Sequence, residues 1–195
     1  MFSSVSELII AIFASIYVFA DYATGAIKNV VGKGYGRVEV FLSKLVSATV
    51  GAVVMQLIMV LSVLICEAVI LGGSRLSADV FVAIGGYTAM QLLLSVALTA
   101  LIVTVGQICR NLGAGIAISA CLIMFSSFVT AGINALLQLL DINVNVCDYW
   151  ILDLISNCPM ENMDSSFLIR AIGCAIAWSV LAIGVGGIHF RKADV

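Results

Sequence analysis

Charge is scarce in this sequence. Its 195 residues include 9 Lys and Arg and 11 Asp and Glu, 10% in all, where a soluble domain carries about 25%. A soluble chain of this length would lack the polar groups to cover its own surface. Apolar residues make up 63% of the chain and the mean hydropathy is +1.20. Composition therefore predicts an integral membrane protein: one helical domain over 1–195, with no soluble module.

Histidine is nearly absent too. His189 is the only one, at the inner boundary of the last apolar run beside Phe190 and Arg191. No second His or carboxylate is spaced to complete a metal site, and no Ser–His–Asp or Cys–His pairing can be assembled. The six cysteines form no CxxC pair. Cys66, Cys121 and Cys174 fall in or near apolar runs and read as small packing residues. No basic n-region follows Met1, so the first apolar run reads as a membrane helix and not as a signal peptide. No broad basic face exists, which argues against nucleic acid as a partner. A phosphate loop is missing as well. Gly32-Lys33-Gly34-Tyr35-Gly36-Arg37 departs from G-x-x-x-x-G-K-[ST], and no βαβ unit surrounds it. The expectation is a protein with no catalytic residue, metal or cofactor of its own.

What is present is a set of long apolar runs. About 20 such residues cross a bilayer as a helix. The sequence offers five, at about 5–20, 45–71, 80–109, 111–140 and 171–190. The first is the shortest, with Glu7 near its outer end. The runs are continuous and too long for barrel strands. The expected class is all-α, a polytopic bundle of five transmembrane helices. No internal repeat is visible, which weighs against transporters built from inverted repeats.

The few charges then set the sides. Short loops rich in Lys and Arg stay in the cytoplasm. Four of the nine basic residues, Lys28, Lys33, Arg37 and Lys44, lie in the segment 21–44. Arg110, Arg191 and Lys192 fall on the same side under five spans, leaving only Arg75 and Arg170 opposite. The expected placement is the cell membrane, N-terminus outside and C-terminus cytoplasmic. The segment 141–167 then lies outside, with five acids and no Lys or Arg. Its apolar cluster around Trp150 predicts one or two short helices at the outer interface. A disulfide between Cys147 and Cys158 is open there.

In the segment 21–44, glycines interrupt any single long helix. Thr24 suits a cap before a short amphipathic helix with Ala26, Ile27, Val30 and Val31 at helical spacing. Two readings stand: a loop held to headgroups by its basic residues, or a docking helix for a cytoplasmic partner. Asp21, Thr24-Gly25-Ala26-Ile27-Lys28-Asn29, Gly34-Tyr35-Gly36-Arg37, Ser43-Lys44 and the tail Phe190-Arg191-Lys192-Ala193-Asp194 give the chain a pattern that resembles the ABC-2 type of ABC transporter permeases. The resemblance implies a membrane-spanning subunit, a bias to export, and ATP hydrolysis on a separate ATP-binding subunit. It also implies a second permease subunit, as a homo- or heterodimer. Its docking residues map here to Thr24, Gly25, Ala26, Ile27, Lys28, Asn29 and Arg37. It places short re-entrant or interfacial helices between the last two spans, where 141–167 lies. Members of that family usually have six spans and start inside. Against them this chain lacks the first span and the outer loop after it. The alternative class is a non-transporting membrane scaffold or immunity protein that binds a partner in the bilayer.

Gln56, Gln91, Thr99, Ser119, Ser126, Ser127, Thr130 and Asn134 are polar groups at membrane depth. Such groups join helices by hydrogen bonds or line a path. Gly184, Gly186 and Gly187 suit close helix approach. Glu67 is the acid well inside a span, a functional candidate by position.

Overall fold

The computed structural model describes residues 2–23, 36–70, 78–109, 112–142, 144–159 and 164–192. Among these the chain is helical and carries no strand. The helices are α1 (Phe2–Ala23), α2 (Arg37–Ile70), α3 (Ala78–Cys109), α4 (Leu112–Leu139), α5 (Ile151–Ser156) and α6 (Ser165–Lys192), with a 3-10 turn at Val146–Asp148.

Local chemistry explains several ends. Gly36 precedes α2, and its N–H donates to Glu39 Oε2 at 3.2 Å, the side chain of the third helical residue reaching back to the cap. At the far end of α4 the Ile142 N–H donates to the Leu137 carbonyl and the Asp141 N–H to that of Gln138. These two bonds define a Schellman stop, with Asp141 in the left-handed region at φ 56°. Asp164 leads into α6, its carbonyl accepting the Leu168 N–H.

α3 is the central helix and packs against all five others. Its apolar residues are buried on several sides, as suits a helix surrounded by helices. Two cores result. One gathers Met90, Leu94, Ala97 and Leu98 of α3 with Ala11 and Ala14 of α1, the apolar residues of α5, and Ala171 and Ala175 of α6. The other gathers Val18, Phe41, Leu45, Ala48, Ala100, Val103 and Ala182. Alanines at these seams let helix axes approach closely, the usual device where lipid rather than water is the solvent.

Four helices among the described residues are long and apolar enough to cross a membrane: Val38–Ile70, Val80–Cys109, Gly113–Leu139 and Ser165–His189. This corrects the expected five. In α1 the apolar stretch is Ser6–Val18, about 20 Å of helix at 1.5 Å per residue, against a hydrocarbon core of about 30 Å. α1 instead packs along α2, α3 and α4. Two limits also shift. α2 takes in residues 37–44, expected as part of the charged segment, and α6 begins six residues before its expected start. Lys44 is accommodated within α2 by lying over the Tyr17 ring of α1, 5.3 Å from its centroid, a cation–π contact.

Candidate functional site

The densest polar structure lies at one end of the bundle, around the 3-10 turn and α5. α5 has only six residues, yet Ile151, Leu152, Asp153, Leu154 and Ile155 are all buried. It is wedged against α1, α3, α4 and α6. The apolar cluster around Trp150 does form a short helix, but one inserted into the bundle and not laid flat on it. Four apolar side chains in six residues need burial on several sides, and an interface offers only one.

Side chains tie this insert to the long helices. Gln91 Nε2 of α3 donates to the Ile155 carbonyl at 3.1 Å and to Tyr87 Oη at 3.0 Å. Asn134, in α4, accepts the Val146 N–H on Oδ1 at 2.8 Å and donates through Nδ2 to Cys147 Sγ at 3.0 Å. From α6, Trp178 Nε1 donates to the Tyr149 carbonyl at 3.1 Å. The Trp178 ring meets Trp150 edge-on at 5.1 Å between centroids. Arg170 Nη1 pairs with Asp148 Oδ2 at 3.0 Å on the exposed rim. Asp153 is 6% exposed, and its Oδ2 has no hydrogen-bond partner among the described residues.

Beside this insert, at the end of α4, lies a cavity of about 360 Å³. Asn134, Gln138, Asn145, Asp148 and Tyr149 supply its polar lining, and Ile142 and Val144 the apolar part.

The bundle interior is polar along α3, but mostly self-satisfied. Ser95 Oγ donates to the Gln91 carbonyl, Thr99 Oγ1 to that of Ser95, and Thr104 Oγ1 to that of Ala100. Bonds also cross between helices, among them Thr104 Oγ1 to the Ala182 carbonyl at 2.9 Å and Ser15 Oγ to Ser119 Oγ at 3.0 Å. Of the polar residues expected to join elements, Gln91, Ser119 and Asn134 do so. Thr99, Ser126 and Thr130 bond within their own helices. Gly186 allows close approach, whereas a Cβ at Gly184 or Gly187 would meet nothing within 4 Å.

Thr24, Gly25, Ala26, Ile27, Lys28 and Asn29 lie outside the described residues. Arg37 is the first residue of α2. Cys147 and Cys158 both carry free thiols here. Cys158 packs against the α3–α5 core, and burial pushes its thiol pKa up. Glu67 lies on the exposed final turns of α2. Among the described residues the buried acids are Glu7 and Asp153. Asp153 was legible in principle, as an acid with two apolar residues on each side.

Neither a protein-family model nor a curated protein matches this chain. Among the described residues no group of three His, Cys, Asp or Glu is placed to hold a metal ion.

Proposed function

We propose that this chain is the membrane-spanning permease subunit of an ABC-2 type ABC transporter, an exporter powered by separate ATP-binding subunits. The observation that carries the reading is the pattern Thr24-Gly25-Ala26-Ile27-Lys28-Asn29 between α1 and α2, followed by Arg37 at the start of α2. The short α5 ahead of the last long helix supports it, since the resemblance calls for a helix there.

The chain's own part is mechanical. A partner closing on residues 24–37 would pull on the ends of α1 and α2. Lys44 on Tyr17 ties those two helices together, and Phe41 is buried against α6 at Gly186. Movement at that end therefore reaches α6, and through α6 the buried insert at the other. A second permease subunit, identical or not, would complete the pathway. If the four long helices span, Lys44 and the Arg191-Lys192 tail share one side, and the charge rule supports the cytoplasmic side for them.

Copurification tests the reading. The full chain should copurify with an ATP-binding subunit and stimulate its ATPase. Ala26→Trp should abolish the stimulation while the protein still reaches the membrane. Lys28→Glu should weaken the association, and most at low salt, since exposed charge pairs are screened at high salt. Normal ATPase stimulation and normal copurification in Ala26→Trp would overturn the docking assignment.

A further inference from the structure

The cavity at the end of α4 has a chemistry that the transport reading does not use. At about 360 Å³ it falls at the small end of ligand sites. It is the size of a polar headgroup with a short apolar stem.

Two features set the sign of the charge it would hold. Among the described residues, Asp148 is its only charged lining residue. Arg170 pairs with Asp148 Oδ2 from α6 but does not line the cavity, and Asp148 Oδ1 is the carboxylate oxygen outside that contact. The second feature is α4 itself. Its 28 residues end here, and a helix C-terminus carries a partial negative charge. Asp141 adds a carboxylate at the helix stop. Phosphate, sulfate and carboxylate groups are disfavoured by this field, and a cation is favoured.

The acceptors narrow the cation. Asn145 makes no capping bond with its side chain, so its amide carbonyl can accept. Gln138 contributes a second amide carbonyl, and Asp148 Oδ1 a third oxygen. Three acceptor-bearing side chains on one cavity suit a group with three N–H donors. The exposed Tyr149 ring adds a face that attracts cations. Ile142 and Val144 suit the methylenes next to the charge.

We propose that this cavity binds a primary ammonium group. The apolar part of α4 ends at Leu139, which puts the site at the membrane boundary. Two sources share this chemistry there: the headgroup of phosphatidylethanolamine, and a free alkylamine.

The test uses the full chain in nanodiscs. In phosphatidylcholine discs, butylamine is titrated by calorimetry. In mixed discs, native mass spectrometry reads which lipid is retained. Retention of phosphatidylethanolamine over phosphatidylcholine assigns the lipid source, and butylamine binding without that retention assigns the free amine. Asp148→Asn should weaken binding about tenfold, the usual loss for a charged hydrogen bond. Arg170→Gln should strengthen it, because a competing cation is removed. Both variants break the same ion pair, so a purely structural contact would make them fail alike. Equal loss in both variants overturns the proposal. So does butyltrimethylammonium binding the wild type as well as butylamine does, because it has the charge without the N–H donors. Absence of both butylamine binding and lipid preference in the wild type overturns it too.

Discussion

Gly186 and Phe41 touch where α6 crosses α2. A Cβ at Gly186 would fall 2.6 Å from Phe41 Cζ and 3.0 Å from Thr104 Oγ1. Phe41 is fully buried, so its ring has nowhere to retreat. Gly186→Val should cost about 1–3 kcal/mol, as overpacked cores do. Thermal unfolding in detergent would show it as a lowered midpoint. Gly184→Ala and Gly187→Ala, with open space for a Cβ, should not lower the midpoint.

Gln91 holds α5 in place. Gln91→Leu keeps the volume but leaves the Ile155 carbonyl without its bond from α3. The loss should be about 1 kcal/mol, the range found for such bonds between membrane helices. Hydrogen exchange should speed up in 151–156 and stay slow in the middle of α3. Uniform exchange across both would show that packing alone seats α5.

The helix stop at Asp141 is strained. A left-handed φ suits glycine better than aspartate. Asp141→Gly should therefore stabilise the protein by about 0.5–1 kcal/mol, the scale of matched backbone substitutions. The unfolding midpoint should rise, while Asp141→Val should lower it.

The Cys158 thiol should react slowly. Burial raises its pKa, so less thiolate is present at a given pH. Alkylation by iodoacetamide should lag behind a cysteine peptide at pH 8 and approach it only at higher pH. The sign for stability follows. The unfolded thiol ionises first, near about pH 8.5. The contribution is full below that pH and is lost as pH rises through the folded value. Cys158→Ser should flatten the fall in stability on the alkaline side.

Orientation can be read by labelling. A cysteine placed at Asn145 should react with an impermeant reagent in intact cells, and one placed at Lys33 should not. The reverse pattern would invert the charge-based assignment.

The long helices were legible because their runs are continuous. The expected 80–109 and 111–140 match α3 and α4 within about two residues. The start of α2 was hidden by Arg37, Glu39 and Lys44. Those charges look like loop in a hydropathy reading, yet Glu39 caps the helix and Lys44 rests on a ring. α1 was read as a span because its run is apolar. What sequence does not state is how long an apolar run must be before lipid, rather than other helices, covers it. The site was less legible still. The pairings of Asn134 with Val146 and of Gln91 with Ile155 span 12 and 64 positions. No local pattern marks a bond across that distance.

The Ser–Thr ladder on α3 has a mechanical consequence. Because Ser95 and Thr99 spend their hydroxyls on their own helix, that part of α3 makes no polar demand on what lies beside it. A neighbour can slide or rotate along that stretch and strand no hydrogen bond. Gln91 and Thr104 fasten α3 to other elements, 13 positions apart. Between these two pins α3 is held to its neighbours by side-chain packing and not by its hydroxyls.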